Sequence, residues 1–134
     1  MKKITFIGLG VMGFPMAGHL AKEGYNVTVY NRSEEKSKLW IKNNIGTYST
    51  SIKEAVSDSD IVFSCVGNDT DLREITLGTD KAFSAMKAGS VFVDHTTTSS
   101  DIAVELSKKA KDYNISFLDA PVSGGEVGAV KGEL

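Results

Sequence analysis

Short apolar runs alternate along the chain with segments that mix apolar and charged residues. Runs rich in β-branched and aromatic residues favour strands, and the mixed segments between them favour helices. Near-continuous apolar strands are typical of a parallel sheet buried on both faces. The pattern therefore predicts an α/β fold with a doubly wound, mainly parallel sheet of at least six strands and helices on both faces. The predicted strands are Ile4–Leu9, Tyr25–Tyr30, a short one near Thr47, Ile61–Cys65, Ser90–Asp94 and Ile115–Leu118.

The mixed segments predict the helices and their starting points. Ser33 and Ser51 are candidate N-caps, because a serine hydroxyl can accept a hydrogen bond from a backbone N–H of the first helical turn. The tail from Asp119 onward is punctuated by glycine and proline, and no element is predicted there. The predicted helices are Met12–Glu23, Ser33–Asn43, Ile52–Asp58 and Asp101–Tyr113, with weakly helical sequence up to Met86.

A glycine-rich turn follows the first predicted strand and leads into the first predicted helix. Its glycines have the G-x-G-x-x-G spacing, and strand, turn and helix in this order are the context that a dinucleotide-binding fingerprint requires. The first glycine permits the tight turn, the second lets a pyrophosphate approach the backbone, and the third lets the helix pack on the sheet. The helix N-terminus adds unpaired N–H groups and partial positive charge. The motif predicts a Rossmann-type fold whose pyrophosphate site consists of Gly8, Leu9, Gly10, Val11, Met12 and Gly13.

Ligands of an open parallel sheet lie beyond the carboxyl ends of its strands, where the strand order reverses. This rule selects the loops Asn31–Ser33, Val66–Asn68, His95–Thr98 and Ala120–Gly125 to complete the site. The hydroxyl run that begins at Thr96 needs only one residue to cap the following helix, so a threonine is left to face the ligand.

The loop after the second strand carries the choice of cofactor. An acidic residue there holds the ribose 2′-hydroxyl of NAD, whereas an arginine accommodates the 2′-phosphate of NADP. This chain has Asn31 and Arg32, with no carboxylate before Glu34. A guanidinium can bind phosphate through two parallel hydrogen bonds, with Ser33 assisting. NADP is therefore predicted in preference to NAD, and the alternative is that Arg32 is an ordinary solvated charge.

No side chain is predicted to act as the proton donor that carbonyl reduction by a nicotinamide requires. His95 has the right chemistry, but a histidine at a strand end is more often packed or solvated. Cys65 lies in an apolar strand and is expected to be a small buried hydrophobic residue rather than a nucleophile. Ser123, Gly124 and Gly125 could anchor a substrate carboxylate through a hydroxyl and exposed N–H groups.

Composition and charge narrow the class of protein. The chain has 134 residues, 41% of them hydrophobic, which is enough for one globular domain. A net charge of −2 without a long basic run argues against a nucleic-acid partner. One cysteine excludes an intrachain disulfide and suggests a cytoplasmic location. No run reaches the length of a membrane span, and no metal site is predicted.

Three segments resemble the β-hydroxyacid dehydrogenase family, which includes 3-hydroxyisobutyrate dehydrogenase, glyoxylate and succinic semialdehyde reductases and, more distantly, 6-phosphogluconate dehydrogenase. Ile7–Ala17 is similar to the opening signature of the family, Val93–Thr98 to its threonine segment, and Phe117–Gly125 to its substrate-binding segment. The resemblance covers essentially the whole chain. It implies an oxidoreductase that transfers hydride between NAD(P)H and a small β-hydroxyacid or semialdehyde.

The resemblance also implies roles for individual residues. Val66 and Gly67 would lie along the cofactor, and Thr97 or Thr96 would contact its nicotinamide end. Ser123 and Gly124, with Gly125 beside them, would hold the substrate carboxylate.

The family pattern implies a division of the chain and of its parent protein. Residues 1–122 would form the NAD(P)-binding Rossmann domain, and residues 123–134 a substrate-binding segment leading toward an all-helical C-terminal domain. The catalytic lysine of the family lies in a G-x-x-x-K-x-x-N segment of that helical domain, and nothing here matches it. We expect that lysine beyond Leu134, no catalytic residue in this chain, and a homodimer or tetramer of the full-length parent. The alternative is a non-catalytic dinucleotide-binding or interaction module, because one fold serves many functions.

Overall fold

A six-stranded, entirely parallel sheet forms the centre of the computed structural model, which describes residues 2–97, 99–121 and 125–132. The strand order across the sheet is β3-β2-β1-β4-β5-β6. This order and the covering helices confirm the predicted doubly wound α/β fold. The strands are β1 (Lys3–Ile7), β2 (Asn26–Tyr30), β3 (Thr47–Tyr48), β4 (Ile61–Ser64), β5 (Val91–Asp94) and β6 (Ser116–Asp119).

Seven helices occur within the described ranges, and local capping explains where three of them start. The side chains of Ser51, Asn68 and Ser99 each accept a hydrogen bond from a backbone N–H of the following helix. Ser33 occupies the predicted N-cap of the second helix without making such a bond. In these ranges no helix is both long and apolar enough to cross a membrane. The helices are α1 (Gly13–Lys22), α2 (Glu34–Asn43), α3 (Ile52–Val56), α4 (Asp69–Thr76), α5 (Ala82–Ala85), α6 (Ser100–Lys111) and α7 (Gly125–Lys131).

Two apolar cores cover the two faces of the sheet, and β1 contributes to both. Ile4 and Phe6 pack with residues of α1 and α2, including the fully buried Trp40. Ile7 faces the opposite side and packs with residues of α3, α4, α5 and α6. The side chains of β1 alternate between the faces with period two, so one short apolar strand serves both cores.

The last helix, α7, is a feature that the sequence pattern did not predict. His19 of α1 donates a hydrogen bond from Nε2 to the carbonyl oxygens of Ala129 (2.9 Å) and Val130 (3.0 Å). Gly128 and Ala129 are buried in this contact. The expectation of a tail without an element is therefore wrong for residues 125–131. The apolar positions of a seven-residue helix are too few to reveal the 3.6-residue period.

The order in which successive strands are added to the sheet reverses between β1 and β4. From β1 the chain proceeds to β2 and β3 on one side, and it then returns to place β4 against the other side of β1. All six strands are parallel, so the loops that leave β1, β2, β4 and β5 emerge at one edge. A crevice at this switch point is where an open α/β sheet binds ligands.

Candidate functional site

A cleft of about 540 Å³ lies at the carboxyl ends of β1, β2, β4 and β5. Its volume is within the usual range of small-molecule sites. Of the predicted cofactor residues, Ser33 is the one that does not line it. The predicted residues that the cleft brings together are Gly8, Leu9, Gly10, Val11, Met12, Gly13, Asn31, Arg32, Val66, Gly67 and Thr97.

The glycine turn at the floor of the cleft is built from close backbone contacts. Gly8 has φ of +101° and donates a backbone hydrogen bond to Tyr30 (2.9 Å). A Cβ on Gly13 would overlap the carbonyl oxygen of Gly8 and lie 3.0 Å from its carbonyl carbon. A Cβ on Gly10 would meet no atom within 4 Å, because this residue faces the open cleft. Two glycines thus serve the fold, and the third leaves the floor of the cleft bare.

Asn31 holds the turn in position from the neighbouring strand. Its Oδ1 accepts a hydrogen bond from the backbone N–H of Leu9 (2.9 Å), and its Nδ2 donates to the carbonyl oxygen of Ser33 (3.0 Å). Both polar ends of the amide are therefore committed to the backbone. The side chain of Asn31 joins the loop after β1 to the loop after β2.

Arg32 stands at the mouth of the cleft with 78% of its side chain exposed. Its Nη2 donates to Oδ1 of Asp71, on α4, over 3.0 Å. Arg32 thus lies in the loop after β2, the position that would meet the ribose of a dinucleotide. The alternative that Arg32 is an ordinary solvated charge stays open, because its side chain is largely exposed and its ion pair with Asp71 lies at the surface.

The threonines after β5 divide into one buried and one exposed residue. Oγ1 of Thr96 accepts a hydrogen bond from the backbone N–H of Val66 (2.9 Å), which ties the loops after β4 and β5 together. Thr97 is exposed and lines the cleft. Ser99 caps α6 and also donates to Asp69 (2.6 Å). Thr98 lies outside the described residues.

Asp94 is a fully buried carboxylate beneath these loops. Its Oδ1 accepts hydrogen bonds from the hydroxyl of Ser64 (2.7 Å) and the backbone N–H of Thr96 (3.1 Å). Its Oδ2 has no partner among the described residues. Burial raises the pKa of Asp94 above 3.8, against the lowering effect of hydrogen bonds from Thr96 and Ser64. The carboxyl group therefore positions both loops, and burial makes its ionisation less favourable than in water.

Asp94→Ala is expected to lower the free energy of unfolding by about 2–4 kcal/mol, because two buried donors lose their acceptor. Asp94→Asn keeps an acceptor and differs chiefly in pH dependence. A raised native pKa stabilises wild type fully below pH 3.8, and this contribution is lost as pH rises through the native pKa. Denaturant unfolding at several pH values should therefore show wild type losing stability relative to Asp94→Asn as pH rises. If the stability of wild type instead rose relative to Asp94→Asn with pH, the folded state would favour the ionised form of Asp94.

His95 and Cys65 both line the cleft, although neither was a favoured site residue. The ring of His95 stacks on Phe63 with centroids 5.7 Å apart, and its Nδ1 donates to the carbonyl oxygen of Ala120 (2.8 Å). These contacts fit the packed histidine expected from sequence. Cys65 is half-buried rather than enclosed, and burial raises the pKa of its thiol. A raised thiol pKa disfavours the nucleophilic thiolate.

The substrate-binding prediction falls largely outside the part of the chain that the structure describes. Ser123 and Gly124 are not described, and Gly125 is the first residue of α7.

The far wall of the cleft consists of residues that sequence reasoning missed. They come from the end of β2 and from the helices and loops between residues 52 and 81, which are distant in sequence from the glycine turn. No local pattern marks those from α3 and α4, because they reach the cleft only through the packing of these two helices. They are Tyr30, Ile52, Asp71, Glu74, Ile75 and Lys81.

The strand order, the glycine turn and the cleft at the switch point together define a Rossmann-type dinucleotide-binding domain. Residues 3–134 match the family model described as the NAD binding domain of 6-phosphogluconate dehydrogenase. The chain belongs to this family, and the predicted resemblance is confirmed.

The similar proteins are longer than this chain. An uncharacterized oxidoreductase of Shewanella frigidimarina is 53% identical over 134 residues, which are 100% of this chain and 46% of that protein. The structure of 3-hydroxyisobutyrate dehydrogenase from Mycobacterium tuberculosis with L-serine has a TM-score of 0.90 at 30% identity, over 98% of this chain and 44% of that one. An imine reductase from Myxococcus stipitatus in complex with NADP+ has a TM-score of 0.85 at 25% identity, over 94% and 43%. The chain thus spans about half the length of these relatives.

Proposed function

We propose that this chain is the cofactor-binding part of an NADP-dependent oxidoreductase. The parent enzyme would transfer hydride between NAD(P)H and a small β-hydroxyacid or its semialdehyde. The observation that carries the proposal is the cleft at the switch point, which has a bare glycine floor and Arg32 at its mouth. The similarity to 3-hydroxyisobutyrate dehydrogenase supports the substrate class, and the imine reductase with bound NADP+ supports the cofactor.

The residues of the cleft fit a dinucleotide. The open space at Gly10 admits a pyrophosphate to the backbone of the turn and to the partial positive charge at the N-terminus of α1. The guanidinium of Arg32 would hold the 2′-phosphate. Val66 and Gly67 would line the path of the cofactor, with Thr97 at its nicotinamide end. When bound, the nicotinamide supplies or accepts the hydride.

The division of labour in the parent protein is part of the proposal. Residues 1–122 would bind the cofactor, and the segment 123–134 would hold the carboxylate of the substrate and lead toward a helical domain. That domain would provide the lysine on which proton transfer depends in the resembling family. We therefore expect this chain to bind nucleotide without turning substrate over, and the full-length parent to be a homodimer or tetramer.

Arg32→Ala is expected to weaken NADPH binding about 10- to 100-fold, because hydrogen bonds to a charged group contribute about 1.5–3 kcal/mol. NADH lacks the 2′-phosphate, so its affinity should change less than about twofold. Calorimetric titration of wild type and variant with both nucleotides would measure the difference.

Arg73→Ala is the matched control for the charge change. Arg73 is also a surface arginine, but it pairs with Glu105 (2.8 Å) and does not line the cleft. Its removal should leave both affinities unchanged. If both variants lost the same amount of NADPH affinity, Arg32 would contribute only through the net charge of the protein. Equal affinity of wild type for NADPH and NADH would contradict the choice of NADP.

A further inference from the structure

The carboxylate of Asp71 faces Arg32 across the mouth of the cleft. The two residues come from different walls, since Arg32 follows β2 and Asp71 lies in the first turn of α4. Their side chains meet at 3.0 Å, and both line the cleft. The side chain of Arg32 is 78% exposed and that of Asp71 only 23%, so the long cation reaches toward the more enclosed carboxylate.

Asp71 lies in the capped first turn of α4, and its carboxylate is next to Gly67. The backbone N–H of Asp71 donates to Oδ1 of Asn68 (2.9 Å), which caps α4 and sets the position of its first turn. On the opposite side, a Cβ added to Gly67 would lie 2.7 Å from Oδ2 of Asp71. The carboxylate therefore lies close to the backbone of Gly67, in space that a side chain at position 67 would crowd.

The same pair of charges stands where the two forms of the cofactor differ. A 2′-phosphate that binds Arg32 must displace the guanidinium from Asp71. It must also lie close to the negative charge of the Asp71 carboxylate. The 2′-hydroxyl of NAD carries no charge, and a carboxylate readily accepts a hydrogen bond from it. The other charged side chains of the cleft are Glu74 and Lys81. Their charges have opposite signs, so together they do not offset the repulsion between Asp71 and a 2′-phosphate.

We infer that Asp71 is a specificity-determining residue that holds Arg32 in the absence of nucleotide and reduces the preference for NADP over NAD. This inference rests on the proposed role of Arg32 in NADP binding. Asp71 limits the advantage that Arg32 provides, and removing its charge makes the cleft more selective for the phosphorylated nucleotide.

The test uses 2′,5′-ADP and 5′-AMP, which differ only in the 2′-phosphate. Asp71→Asn should tighten binding of 2′,5′-ADP about three- to tenfold and change binding of 5′-AMP less than about twofold, as measured by calorimetry on the 134-residue chain. The gain should shrink at high ionic strength because screening weakens the competing charge. Thermal melting of the variant should match wild type, since asparagine keeps the backbone hydrogen bond to Asn68.

Two further variants separate the explanations. Glu74→Gln removes a negative charge from the same wall and should shift both ligands by the same small factor. In an Arg32→Ala background, Asp71→Asn should tighten 2′,5′-ADP less than it does in wild type, because no guanidinium remains to be released and only the direct repulsion by the carboxylate is relieved. If Arg32→Ala weakens 2′,5′-ADP but Asp71→Asn does not tighten it, or tightens both ligands equally, the inference is wrong and the proposed cofactor stands. If Arg32→Ala leaves 2′,5′-ADP unchanged, the choice of NADP itself fails.

Discussion

Gly13→Ala is expected to destabilise the fold by about 3 kcal/mol or more, which is a large share of the stability of a small domain. The new Cβ would overlap the carbonyl oxygen of Gly8, and the ring of Phe6 would lie 3.1 Å away on the other side. A carbonyl group in a tight turn cannot rotate away as a side chain can. Gly8 has little room to shift, because it lies against the backbone of Cys65 and its N–H is bonded to Tyr30. Denaturant unfolding monitored by circular dichroism would measure the loss.

Gly18→Ala is the matched control, since Gly18 lies in the same helix. A Cβ at this position would approach the side-chain oxygen of Asn44 (2.8 Å), at the end of a side chain that can move. Alanine also favours a helix over glycine by about 1 kcal/mol. We expect the stability of this variant to stay within about 1 kcal/mol of wild type. If Gly13→Ala were as stable as the control, the turn would accommodate the new Cβ without loss of free energy of unfolding.

Gly10→Val is expected to give the opposite result, a stable fold that binds NADPH about 100-fold more weakly. Gly10 is exposed at the floor of the cleft, and a Cβ there meets no atom within 4 Å. The branched side chain would instead fill the space through which a pyrophosphate reaches the backbone N–H groups. Calorimetry would measure the affinity, and denaturant unfolding would show the free energy of unfolding within about 0.5 kcal/mol of wild type.

Gly10→Ala provides an intermediate size and should give an intermediate loss of affinity. A graded decrease from glycine to alanine to valine would show that bulk at this position excludes the ligand. If NADPH affinity were unchanged in Gly10→Val, the pyrophosphate would not bind at this turn. Loss of stability in the same variant would instead show that the turn is packed more tightly than the open space around Gly10 indicates.

The fold was predictable from sequence because its strands are short, apolar and separated by helices. All six strands were predicted, with bounds that differ by a residue or two from those observed. The glycine turn was equally accessible, since its motif depends on spacing within a single strand–turn–helix unit. What was not predictable was the helix at 125–131, which depends on a tertiary contact to His19 rather than on its own apolar period.

The candidate site was predictable on one wall only. Residues of the loops after β1, β2, β4 and β5 lie at strand ends, so topology alone assigned them to the cleft. The commitment of Asn31 to the backbone of Leu9 depends on the exact distance between two loops. The approach of Asp71 to Arg32 depends on how α4 packs, and residues 39 positions apart share no local pattern. Sequence thus indicated which loops meet but not which side chains bind one another there.

The position of β1 at the centre of the sheet has a consequence for how the molecule is synthesised. β1 is made first and can pair with β2 soon afterwards, but its other partner, β4, begins only at Ile61. Bringing such distant segments together costs loop-closure entropy and slows folding. A nascent chain that has completed β3 has the glycine turn but only one side of the crevice. A complete binding cleft for the nucleotide therefore forms only after β4 and β5 have joined the sheet. Nucleotide binding should then stabilise the native state relative to every partly folded state.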